Sequence, residues 1–241
     1  MDAKKTPLLT SADRAILAVA LILPTAITWI YFIWLKDAPQ IVQQVTYGVV
    51  KTIQFGLPAA WILLVQRECP SFRPPSSWSL IVGVLFGVAV ATAMFVLYYF
   101  VLNPAGLFAG PSAEVRAKVS SFGIGSPVAF LLFAVFVSAI HSLLEEYYWR
   151  WFVFGQLARG YKLPTSILIS SLGFAAHHVL VLSLYFGWAS PLTWLFSLAI
   201  AIGGACWAWL YHRSDSLAAP WLSHALVDAA IFAIGYQMIH S

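Results

Sequence analysis

The chain has 241 residues, of which 61% are hydrophobic and only 9% charged, with a formal net charge of +4. A soluble domain carries roughly 25% charged residues, so there are too few charges here to cover a water-facing surface, and most of the chain must face lipid or other apolar helices. The Lys and Arg residues are scattered through connecting segments and nowhere massed, which excludes nucleic acid as the partner behind the positive charge.

Seven apolar stretches are long enough to cross about 30 Å of hydrocarbon, which takes about 20 helical residues. In chain order they fall near Ala15–Leu35, Val45–Val65, Ser79–Leu102, Val128–Phe152, Pro164–Phe186, Pro191–Tyr211 and Leu217–Ile239. A break within one long stretch would make the total eight. The expected fold is therefore an all-α polytopic bundle of seven to eight spans, forming a single membrane domain over residues 1–241. The first stretch is too long for a cleavable signal and lacks a small-residue cleavage site. The longest connector, Asn103 to Ser126, is rich in Gly and Pro, and its Ala113–Val119 piece predicts a short surface helix. Cys69 and Cys206 have no CxxC partner and form neither a disulfide framework nor a metal pair.

Orientation follows from the short loops. Lys4, Lys5, Arg14, Arg67, Arg73, Arg159, Lys162 and Arg213 fall on one side of the predicted spans, and only Lys36, Arg116 and Lys118 on the other. The positive-inside rule places the N-terminus in the cytoplasm. The compact single-domain form fits a bacterial inner membrane. Trp29, Trp34, Trp61 and Trp78 near span ends read as interface anchors.

Acids are scarce, and Asp2, Asp13, Asp37, Glu68, Glu114 and Asp215 lie in loops or at span ends. Only Glu145, Glu146 and Asp228 are embedded in apolar runs, together with His177 and His178 in span five and His224 in span seven. Ionisable groups inside a span are costly and mark functional polar interiors. Glu146 and Arg150 are four apart, so they share a helix face and can pair. Glu145 points about 100° away and lacks that partner. Apolar surroundings disfavour an ionised carboxylate and make it a better proton acceptor near neutrality. The plain alternative is an interfacial charge cluster. His224 and Asp228 are again four apart, and His141 lies one turn before Glu145. With the predicted boundaries, Glu145 and His224 lie roughly 10 Å and His178 roughly 20 Å from the cytoplasmic span ends, so the three can form one site.

The ordered set of motifs resembles the CAAX-protease and bacteriocin-processing family of intramembrane glutamic-type endopeptidases. Glu145-Glu146-Tyr-Tyr-Trp-Arg150 resembles its EExxxR motif, Phe174-Ala-Ala-His-His178 its FxxxH motif, and His224-Ala-Leu-Val-Asp228 its HxxxN motif. All three fall in a motif-bearing half over about residues 128–241. The resemblance implies a polar cavity open toward the cytoplasm and cleavage near the C-terminus of a membrane-anchored or lipidated protein or peptide substrate in the lipid bilayer. Glu145 would activate water with help from His178; Glu146, Arg150 and Phe174 would support the site; His224 and Asp228 would stabilise the oxyanion. His141 and His177 stand as neighbours able to support Glu145 and His178. Asp228 departs from the family's Asn: an ionised Asp cannot donate to an oxyanion, so it must be protonated there or serve to orient His224. The Phe174 spacing selects His178 over His177.

No cofactor is required by this chemistry, although a Glu/His/His/Asp set is acceptable to zinc. The metal-free reading is preferred because Glu145 would otherwise be both ligand and base. Two other functions use the same residues: a non-catalytic membrane binding or immunity protein, and a proton-coupled transporter. The transporter predicts inverted repeats and matching broken helices, neither of which is apparent in the sequence.

Overall fold

Thr10 starts the first helix with a reciprocal cap. Its hydroxyl accepts from the Asp13 amide at 3.1 Å, and the Asp13 carboxylate accepts from the Thr10 amide at 2.9 Å. That exchange satisfies two donors the helix start would otherwise orphan. The computed structural model describes residues 9–69 and 72–240. Within them the chain is helical throughout: α1 (Ser11–Trp34), α2 (Gln40–Gln66), α3 (Ser77–Leu102), α4 (Ala109–Ser121), α5 (Pro127–Ala158), α6 (Leu163–Phe186), α7 (Pro191–Ser214) and α8 (Ala218–His240). All but α4 are long and apolar enough to cross a membrane. Asp2, Lys4 and Lys5 lie outside the described residues.

Several boundaries differ from expectation by a few residues, and the two largest shifts among the spans have a local polar reason. α2 begins at Gln40, five residues before the predicted span, and the Gln43 amide secures that start by donating to the Lys36 and Ala38 carbonyls at 3.2 and 2.9 Å. α5 runs six residues past Phe152 to Ala158 because Gln156 finds partners and does not end the helix. The predicted surface helix is α4, longer at both ends. Ser76 and Ser126 cap α3 and α5 by accepting from Ser79 and Ala129 amides.

The chain divides into two compact units. The first comprises Met1–Phe72, Tyr147–Ser183 and Ala189–Trp209. Asp13 is its polar anchor: Oδ1 accepts from Gln66 Nε2 at 2.8 Å and Trp61 Nε1 at 3.2 Å. Gln66 and Gln156 exchange hydrogen bonds at 2.9 and 3.1 Å, and Arg159 donates to Gln156 at 2.7 Å. One carboxylate thus ties together ends of α1, α2 and α5. Trp61 is an indole donor to that carboxylate and not simply an interface anchor, whereas Trp29, Trp34 and Trp78 are exposed as anchors should be. Asp13→Ala removes the cap and strands donors of Thr10, Trp61 and Gln66. It is expected to cost about 2–3 kcal/mol, read as a lower midpoint of thermal unfolding in detergent; an unchanged midpoint would remove the network from the stability account.

Close approach in this unit depends on small residues. A Cβ on Gly204 would come within 3.2 Å of the Phe174 ring, so α7 packs tightly on α6 there. A Cβ on the adjacent Gly203 would meet only Trp207 of its own helix. Lys51 lies well inside α2, 5.7 and 5.3 Å from the Tyr47 and Phe55 ring centres, a cation–π setting that lets an amine remain in an apolar span.

The second unit comprises Arg73–Glu146, Leu184–Trp188 and Leu210–Ser241. Its main packing is α3 against α8, made possible by Gly83 and Gly87 one turn apart. A Cβ on Gly83 would overlap the Ala219 carbonyl oxygen, and one on Gly87 would reach within 3.0 Å of Ser223. Tyr98, Ile234 and Met238 form a buried cluster on which Phe108 and Val115 of the α4 region pack. An exposed ion pair, Arg73 to Asp215 at 2.9 Å, joins the α2–α3 and α7–α8 connections; surface pairs of this kind contribute little to stability.

Candidate active site

The helix that carries both glutamates changes its winding around them. In α5, wide π-type turns occupy Phe136–His141 and Tyr147–Phe154, with one α-helical stretch, Ser142–Glu146, between. π-turns in a helix recur at functional sites because they re-aim side chains and relax backbone hydrogen bonding. The first of these turns offers a carbonyl to a neighbour: Trp221 of α8 donates its indole N–H to the Ala139 oxygen at 2.8 Å. That contact, three residues before His224, fixes the register of α8 against α5.

In the second unit four ionisable side chains meet around Glu145. His141 Nε2 lies 3.4 Å from Glu145 Oε1. His224 Nε2 lies 3.7 Å from Glu145 Oε2 and 3.7 Å from Asp228 Oδ1. His224 Nδ1 makes the tightest contact, 2.8 Å to Glu146 Oε1. A carboxylate can only accept there, so Nδ1 carries the proton and Nε2 is the nitrogen turned toward Glu145 and Asp228. Glu146 and His224 are essentially removed from solvent, at 0% and 4% exposure. Burial of this kind is tolerated only when charged partners answer one another.

Two features of this arrangement were not evident from spacing. Glu146 is the residue that orients His224, a contact between helices that no single-helix periodicity reveals. Glu145, which spacing leaves without the arginine, has the His224 imidazole of α8 near its second carboxylate oxygen, in addition to His141 of its own helix. The depth estimate also changes: with α5 ending at Ala158, Glu145 is thirteen residues, or roughly 20 Å, from that helix end.

In the first unit Arg150, Phe174, His177 and His178 form a second group. The Arg150 guanidinium lies 4.6 Å from the Phe174 ring centre and 5.1 Å from that of Trp207, and Nη2 reaches the Gly204 carbonyl at 3.5 Å. Phe174 is thus the platform on which the arginine rests. His178 Nδ1 donates to the Phe174 carbonyl at 3.0 Å, which leaves Nε2 as the basic nitrogen of the neutral ring. Its neighbour His177 is stacked parallel to Trp149, ring centres 6.1 Å apart, and is buried. The adjacent histidines therefore differ in setting: one is held by a backbone carbonyl, the other by an aromatic stack.

Among the described residues, no three His, Cys, Asp or Glu side chains are arranged to hold a metal ion. No curated protein and no solved structure matches the chain. Residues 127–230 match the family model described as type II CAAX prenyl endopeptidase Rce1-like. That stretch runs from the start of α5 into α8 and includes every residue of both groups. Together with the seven apolar helices, the match supports an intramembrane protease. The segment that carries the acid–imidazole cluster is thus similar to the Rce1-like type II CAAX prenyl endopeptidases.

Proposed function

We propose that this protein is a glutamic-type intramembrane endopeptidase that hydrolyses a peptide bond near the C-terminus of a membrane-anchored or lipidated protein. The observation that carries the reading is Glu145, buried in a membrane-length helix with imidazole nitrogens 3.4 and 3.7 Å from its two oxygens. Peptide hydrolysis needs an activated water, a donor for the oxyanion and a proton for the departing amine. Glu145 removes a proton from water as the oxygen attacks the carbonyl carbon. His224, protonated on Nε2, stabilises the resulting oxyanion, and Glu146 holds its Nδ1 as the carboxylate of a serine protease orients the histidine. Asp228 Oδ1, 3.7 Å from Nε2 of the same ring, helps to orient that imidazole. The family resemblance assigns His178 to water activation, with Arg150 and Phe174 in support and His177 adjacent in sequence. These assignments rest on motif spacing. The whole chain acts as one membrane domain with its catalytic half at about residues 128–241, and the loop distribution of Lys and Arg supports a cytoplasmic N-terminus.

No metal takes part in this scheme, and the corresponding prediction is that a strong chelator leaves cleavage intact. Purified protein in detergent is incubated with membrane-anchored peptides carrying varied C-terminal tails, with products read by mass spectrometry. Cleavage that survives chelation and reveals a tail preference supports the glutamic mechanism. Loss on chelation with recovery on added zinc overturns it in favour of a metallopeptidase. Peptides retained but never cut point to a membrane binding protein.

A further inference from the structure

We propose that His141 is the proton partner of Glu145: it gives its proton to the departing amine and is recharged by the proton that Glu145 removes from water. The inference rests on the peptidase reading above and adds a residue outside the three motifs. Its basis is a division of labour visible at the carboxylate. Glu145 Oε2 faces His224, whereas Oε1 faces His141 Nε2 at 3.4 Å. His224 cannot also remove the proton, because Nδ1 is engaged by Glu146 at 2.8 Å and Nε2–H is required at the oxyanion. It is also sealed, with 5% of its side chain exposed. His141 is the most open member of the cluster, with 22% of its side chain exposed against 7% for Glu145 and 15% for Asp228. A proton leaving a buried carboxylate passes most directly through the imidazole that adjoins both it and the accessible side.

Local structure explains why the two residues meet. His141 ends the π-type turns of Phe136–His141, and the α-helical stretch Ser142–Glu146 returns Glu145 to the same face one turn later. The titratable groups around His141 are Glu145 and Glu146 on α5 and His224 and Asp228 on α8, the helix packed against this stretch. The step is balanced. Water loses a proton to Glu145 as its oxygen bonds to the carbonyl carbon. Protonated His141 gives its Nε2 proton to the amine nitrogen as the C–N bond breaks. Glu145 then reprotonates His141, and both residues return to their starting states.

The competing reading is a simple i,i+4 contact that positions Glu145, and His141→Gln separates the two. Glutamine keeps a donor at the place of Nε2 but cannot carry a proton. His141→Gln and His141→Ala are both expected to lose about 10²-fold or more in kcat with KM little changed. The kcat–pH profile of each should lose one ionisation that the wild-type profile shows. Added imidazole should partly restore His141→Ala but not His141→Gln, whose amide fills the space. Near-wild-type kcat and pH profile in His141→Gln would overturn the relay while leaving the peptidase reading in place. Wild-type protein that retains every peptide in the set and cleaves none would overturn both, and the wild-type arm alone distinguishes that case.

Discussion

Glu145→Gln is expected to reduce kcat by about 10³-fold or more, with substrate retention and thermal unfolding close to wild type. Removal of a general base costs about 10²–10⁴ in rate, and here the same carboxylate also reprotonates His141. The amide is nearly isosteric and can still accept from an imidazole N–H, so the helix contact to His141 at 3.4 Å and the approach of His224 at 3.7 Å need not collapse. Loss of turnover without loss of binding therefore isolates chemistry from folding. A binding or immunity protein makes the opposite forecast, since a neutral amide of the same shape leaves its surface unchanged. Full activity in this variant would dismiss Glu145 as the base and shift attention to Glu146. That alternative is testable in turn, because Glu146 is already committed to His224 at 2.8 Å.

Three carboxyl groups and two imidazoles share the second unit's cluster, and their protons belong to the set more than to any one residue. Two imidazolium ions can balance two of three carboxylates, which leaves one acid to hold a proton of its own. Asp228, the position at which the family's pattern has Asn, is well placed to be that acid. A protonated Asp presents one donor and one acceptor, much as an Asn side chain does. The departure from the family's motif is then chemically small wherever the local charge balance keeps that proton on.

The seven membrane helices were legible because uninterrupted apolar length is the strongest signal a sequence carries. What misled was polar residues near helix ends. Gln40, Gln43 and Gln156 read as loop, yet each lies in a helix, and Gln43 and Gln156 make specific hydrogen bonds. For the site, contacts within one helix were legible: His141 with Glu145 and His224 with Asp228 follow from four-residue spacing. The Glu146–His224 hydrogen bond was not, because it depends on how α8 lies against α5, which Trp221 and the π-type turns determine. Nor was Asp13 recognised as an organising residue. A carboxylate three residues after Thr10 reads as a cap, while its contacts to Trp61 and Gln66 cross about fifty residues of chain.

Gly83→Ala, the addition of a single methyl group, is expected to lower kcat/KM by about 10²-fold. Gly83 and Gly87 were unremarked in an apolar run, yet they bring α3 against the first turns of α8. The new Cβ would overlap the backbone oxygen of Ala219, and backbone cannot rotate away as a side chain can, so α8 must shift. His224 lies five residues along that helix and its ring is held by a 2.8 Å bond to Glu146. A displacement of about 1 Å in catalytic geometry is enough for about a 10²-fold loss. Overpacking adds a stability cost of about 1–3 kcal/mol, visible as a lower unfolding midpoint. The control is Gly48→Ala in α2, where a Cβ meets nothing within 4 Å. That change removes a poor helix former and should leave activity intact while stabilising the helix slightly. If both substitutions prove equally harmless, the α3–α8 contact does not position His224; if only Gly83→Ala fails, a glycine with no chemistry of its own is what holds the imidazole in register.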